Sequence, residues 1–163
     1  MLSIVAGMGA FTSRALKVLA ASGIQDPQAG QWYSQQAWLD AFQKLGEQLG
    51  PNTLIMIGKT IPENAKFPPN INSIETALAS IDKAYHMNHR GGEIGSYKVV
   101  SSQPKSARMV CENPYPCDFD RGIVLGTATK YKPATSGAVR VSHDDTQPCR
   151  KKGARSCTYQ IDW

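Results

Sequence analysis

Apolar residues recur at intervals of three and four through the first half of the chain and alternate with polar ones in much of the second, so helices should precede strands. Ala15, Leu16, Val18, Leu19 and Ala20 mark an apolar helix that Gly23 closes, and a polar loop through Asp26, Pro27 and Gly30 follows. Ser34 is placed to cap a helix whose apolar face is Trp38, Leu39, Phe42, Leu45 and Leu49, with Gly50-Pro51 as its stop. Residues 53–61 form a shorter apolar segment, expected to be helical and to end at Pro62, and Phe67-Pro68-Pro69-Asn70 reads as a loop. Ser73 caps a further helix with Ile74, Ala77, Leu78, Ile81, Ala84 and Tyr85 on one face, broken by Gly91-Gly92.

Past Gly92 the period changes. Residues 94–101 and 107–112 read as strands around a Gln103-Pro104-Lys105 turn, because β-branched and aromatic residues alternate there with polar ones. Residues 118–131 read as a helix in which Gly122 and Gly126 would let another element approach closely. Two more strands, 138–142 and 157–163, bracket a polar loop. The pattern predicts an α+β fold with N-terminal helices packed on a four-stranded antiparallel sheet and a ββαββ C-terminal half.

Length and composition limit the remaining choices. A chain of 163 residues with 41% hydrophobic content supports one core and reads as a single domain over 1–163. A formal charge of +5 with 18 dispersed basic residues permits anionic partners without arguing for them. No apolar run is long enough to cross a bilayer, and residues 1–19 lack the basic start and cleavage site of an export signal. A cytoplasmic protein with reduced thiols is the expectation, and clustered cysteines in such a compartment favour metal over disulfides.

Cys149 and Cys157 flank a seven-residue segment, Arg150 to Ser156, containing Gly153, which lets the loop turn back and bring both sulfurs together. Cys117 stands at a helix start, where the backbone dipole favours the thiolate. Three sulfurs and one oxygen, from Asp145 or Asp144, would make a closed zinc site, with Cys111 as the rival fourth ligand. The basic run Arg150-Lys151-Lys152 with Arg155 is explained as offsetting the charge of that site. Without a helix-turn-helix signature or interleaved aromatics it does not argue for nucleic acid.

The segment Asn113-Pro114-Tyr115-Pro116-Cys117, then Gly122 and Gly126, then Asp145-Thr146-Gln147-Pro148-Cys149 and Gly153 to Cys157, resembles the 4-vinyl-reductase-like small-molecule-binding domain. That family includes the sensor domains of phenol-responsive transcription activators. The resemblance implies zinc on Cys117, Asp145, Cys149 and Cys157, with aspartate replacing the family's glutamate and Pro148 as an extra residue. It also implies an apolar pocket between helices and sheet, a homodimer, and a small hydrophobic or aromatic ligand. With no attached output domain expected, either sensing would need a separate output protein or the protein would store, carry or modify its ligand instead.

Candidates for the pocket are Trp32, Trp38, Phe42, Tyr85, His86, His89 and Tyr97, which combine aromatic surface with polar ends near the helix-to-sheet transition. His86 and His89, three apart near a helix end, offer an alternative in which one or the other ligates haem. The Tyr-x-Ser-x-Arg motif of the haem nitric-oxide-binding family is absent. A third possibility, an enzyme acting on a small hydrophobic substrate, finds no dinucleotide fingerprint and no nucleophile elbow.

Overall fold

The computed structural model describes residues 12–28 and 30–163. The expectation that the chain lacks an export signal falls largely on residues 1–11, outside the described residues. The helical half comprises α1 (Thr12–Ala20), α2 (Gln35–Leu49), α3 (Pro51–Asn64) and α4 (Ile74–Met87). The second half follows as β1 (Ser96–Gln103), β2 (Ser106–Glu112), α5 (Cys117–Tyr131), β3 (Arg140–His143), a short 3-10 turn (Arg150–Lys152) and β4 (Cys157–Asp162). This is the α+β arrangement expected from the alternation of periods. No helix among the described residues is long and apolar enough to cross a membrane.

Local chemistry accounts for the helix ends. At α2 the Ser34 hydroxyl accepts the Ala37 N–H at 3.4 Å, while α4 starts with a reciprocal capping box between Ser73 and Thr76. Gly50, at φ +85°, makes the sharp step from α2 to α3, a conformation that a side chain would oppose. Pro62 does not end α3, contrary to expectation, because it sits within the last turn and its missing N–H forfeits only one ladder bond there. Lys130 donates to the Pro62 carbonyl at 2.7 Å and ties this turn to α5.

The four strands run antiparallel in the order β1-β2-β4-β3. Tyr97 pairs with Cys111, Cys111 with Cys157, Met109 with Tyr159 and Val141 with Ile161, so these side chains share one face of the sheet. That face is buried, with α5 lying against β3 and β4 and α4 against β1. On its other side α5 meets α3 through Gly58, Gly122 and Gly126, where backbone lies against backbone. Buried on both sides, α5 has no strongly one-sided apolar pattern.

Candidate functional site

A cavity of about 490 Å³ lies where the entry to α2, the ends of α3 and α4, and the Tyr97 end of β1 meet the start of α5. Its position follows from the packing just described. The Asn88 side chain holds the end of α4 to the 65–67 loop, donating to Ala84 at 2.7 Å and to Lys66 at 2.8 Å, which brings Ala65 and Phe67 into the wall. Trp32, Trp38, Tyr85, His89 and Tyr97 line the cavity. Phe42 does not; it is fully buried, with its ring 4.5 Å from Phe119, and backs the wall instead. Nor does His86, whose ring faces outward with Nδ1 2.8 Å from the Asp82 carbonyl and half its side chain exposed.

His89 presents its imidazole to the cavity in a defined state. Nδ1 lies 2.7 Å from the Tyr85 carbonyl, which can only accept, so Nδ1 carries the proton and Nε2 the lone pair. The Tyr115 hydroxyl donates to that lone pair at 2.8 Å. Burial lowers the His89 pKa below its ordinary 6.5, the neighbouring His86 adding to the effect and the Tyr85 carbonyl opposing it. The ring is therefore the neutral, ligating form at neutral pH. Tyr115 itself is pushed up to about 12, chiefly by burial.

A pH dependence follows with a definite sign. Because folding lowers the pKa, the unfolded chain binds the His89 proton more readily, so this stabilisation is complete above the ordinary value of about 6.5 and is lost progressively as the pH falls from there through the lower folded value. The difference in urea midpoint between wild type and His89→Gln should therefore shrink from about pH 7 to about pH 5. An unchanged difference across that range would refute the assignment.

Behind the cavity lies a charged pair out of water. Asp120, fully buried on α5, accepts from the Tyr97 hydroxyl at 2.6 Å, from Asn113 at 3.2 Å and from the Arg150 guanidinium. Arg150 also donates to the Asn113 carbonyl at 2.6 Å and to its side-chain oxygen at 2.8 Å. Burial raises the Asp120 pKa and Arg150 opposes it, while on Arg150 the attraction of Asp120 outweighs burial and holds the guanidinium protonated.

Cys117, Cys149 and Cys157 are buried with their sulfurs within 4.8 Å of one another. Cys117 and Cys157 are 3.0 Å apart, and the bond from Cys157 brings Cys117 down to about 5 against the effect of burial, while Cys157 rises. Asp145 is not part of this group: its side chain is 92% exposed and faces His143 Nδ1 at 3.3 Å. Asp144 is engaged by Arg108 and Thr146, and Cys111 is buried on β2 outside the cluster. The three thiols fasten the start of α5 to the 3-10 turn and β4.

Several wall residues lie outside the candidates drawn from the sequence. Gln35 lines the cavity, and its amide nitrogen is buried without a hydrogen-bond partner of normal geometry, although the amide is close enough to lower the Tyr85 and Tyr115 pKa values against burial. Tyr115 and Arg90 also line it. Tyr115 stands inside the Asn-Pro-Tyr-Pro-Cys segment and Arg90 directly after His89, so proximity to the histidines and cysteines was the one available signal.

No protein-family model matches the sequence, and none of the curated protein sequences matches it. Solved structures match over nearly its full length. A mutant H-NOX protein from S. oneidensis in the Fe(II) ligation state superposes with a TM-score of 0.69 at 13% identity, covering 98% of this chain and 94% of that one. A mutant H-NOX from T. tengcongensis gives 0.67 at 12% identity over 99% and 93% of the two chains. A structure concerned with haem redox potential and protein-induced porphyrin distortion gives 0.65 at 12% over 99% and 91%.

These likenesses correct two expectations. The resemblance to the 4-vinyl-reductase-like family gives way, because it rested on short segments around a helix start and a terminal strand, whereas the superposition tests the order and packing of all elements. Zinc as the cofactor gives way with it: structures sharing the fold are described with Fe(II) and haem, and Asp145 does not complete a set of four donors with the sulfurs. The chain thus has the fold of the H-NOX proteins, with an aromatic, histidine-bearing cavity between its helical half and its sheet.

Proposed function

We infer that the chain is a haem-binding, small-molecule-sensing domain in which His89 ligates the iron through Nε2. The observation that carries this reading is the geometry of His89, a neutral imidazole on the cavity wall whose Nδ1–H is anchored to the Tyr85 carbonyl. Metal-binding histidines are typically oriented by such an outer hydrogen bond. The surroundings fit a haem. The cavity lies within the usual range of about 300–1,000 Å³ for bound small molecules, its walls are largely aliphatic and aromatic, and Gln35 offers a buried amide donor without a hydrogen-bond partner of normal geometry.

Bound haem would supply a coordination position for a small ligand such as a diatomic gas. The chain's own residues define the rest. Trp38, Phe119 and Ile123 give the cavity apolar wall, and the Gln35 amide is available to donate to an acceptor atom within it. Tyr115 must release Nε2 for ligation, and its backbone N–H is held by Asn113 Oδ1 at 2.9 Å. Hydrogen bonds thus run from His89 through Tyr115 and Asn113 to Arg150, at the start of the 3-10 turn beside Cys149. In this reading a separate output protein receives the signal.

Reconstitution with ferric haem tests the proposal. The wild type should develop a Soret band; His89→Ala should lose it or weaken binding about tenfold or more, the scale of losing a metal ligand or its outer partner, while His86→Ala should retain it. Equal spectra in His89→Ala and wild type would sink the assignment. The bond already present between Tyr115 and Nε2 favours a second reading, a small aromatic molecule bound without haem. Native mass spectrometry of fresh protein separates the two, reporting haem, co-purified organic ligand and any homodimer together.

A further inference from the structure

Arg90 is the single Lys or Arg among the residues lining the cavity, and neither Asp nor Glu lines it. Its guanidinium carbon lies 4.4 Å from the centre of the Trp32 ring, and both residues are exposed, so the pair marks the mouth. Among the described residues no carboxylate forms an ion pair with Arg90. A guanidinium held over an aromatic ring by cation–π attraction leaves N–H donors for a further partner, and its fork of donors matches a carboxylate with two parallel hydrogen bonds. Deeper in, Trp38, Ile81, Phe119 and Ile123 offer apolar surface.

We propose that Arg90, stacked on Trp32, is a carboxylate-binding subsite, and that the ligand of this cavity is a flat aromatic or macrocyclic acid whose carboxylate emerges at the mouth. The proposal rests on the cavity being a ligand site but not on iron ligation by His89. An ester or amide of the same ligand keeps the apolar body and loses the charge, so the two forms isolate the contribution of Arg90. Trp32 lies against the guanidinium and reports binding through its fluorescence.

The test titrates wild type and Arg90→Gln with metal-free protoporphyrin IX and its dimethyl ester, and with 2-naphthoic acid and 2-naphthamide, following tryptophan fluorescence. The wild type should prefer the acid by about tenfold or more in at least one pair, the scale of charge-assisted hydrogen bonds. Arg90→Gln should reduce that preference to within about twofold, with the neutral compound's Kd unchanged. Equal binding of acid and neutral compound by the wild type in both pairs, including binding of neither, overturns the proposal. So does a preference that survives Arg90→Gln, or equal loss of both forms, which would mean packing on Trp32 rather than charge recognition. Because the probes carry no iron, these outcomes are independent of whether His89→Ala loses the Soret band.

Discussion

Arg150→Met should lower the free energy of unfolding by about 3–5 kcal/mol, the usual cost of removing one partner of a buried ion pair. Asp120 is completely buried, and the Arg150 side chain retains only 12% of its exposure, so water cannot replace the lost guanidinium. The substitution leaves the Tyr97 hydroxyl and Asn113 facing an uncompensated carboxylate in the first turn of α5. Asp120→Asn combined with Arg150→Met should recover part of the loss, since a neutral amide costs less to bury than an unpaired charge. Urea denaturation of the single and double variants provides the check. A loss below about 1 kcal/mol for Arg150→Met, the range of exposed pairs, would show that the pair is solvated and not the buried anchor described above.

That pair also illustrates what the sequence could not reveal. Periodicity located α2 and α4 because each buries one face: Trp38, Ala41, Phe42 and Leu45 in one, Ile74, Ala77, Leu78, Ile81 and Tyr85 in the other. Alternation located the strands for the same reason. Asp120, by contrast, looks like an ordinary charged residue in the first turn of a helix. Its partners Tyr97, Asn113 and Arg150 lie seven to thirty positions away and meet only when α5 is laid on the sheet. The cavity was legible as aromatic composition, which named Trp32, Trp38, Tyr85 and Tyr97 but gave Phe42 and His86 no different weight. On which side of α4 His86 and His89 point is decided by the helix end and its contacts, three residues being nearly a full turn but not one. The cysteine spacing correctly suggested that three sulfurs meet, yet local spacing carries no information about which oxygen reaches them or which larger fold contains them.

Gly122→Val should be the second strongly disruptive change, with a cost of about 3 kcal/mol or more, at the upper end of the range for overpacking. A Cβ at Gly122 would lie 2.3 Å from the Ile55 carbonyl oxygen and 2.9 Å from the Gly58 Cα, and both are backbone atoms that cannot rotate aside. Helix propensity acts in the opposite direction, because replacing an interior glycine with a better helix former gains up to about 1 kcal/mol. The contact wins because relief requires α3 and α5 to separate, which also opens the neighbouring contacts at Gly58 and Gly126. Gly46 supplies the contrast. A Cβ there would meet the tip of Leu54 at 3.2 Å, a flexible side-chain end, and Gly46 has an ordinary helical backbone in α2. Gly46→Ala should therefore be neutral or stabilising by up to about 1 kcal/mol, with propensity outweighing a small shift of Leu54. Thermal denaturation of the two variants distinguishes steric closure from general glycine flexibility: if both shift the midpoint in the same direction and by similar amounts, the backbone contact between α3 and α5 is not what requires glycine at position 122.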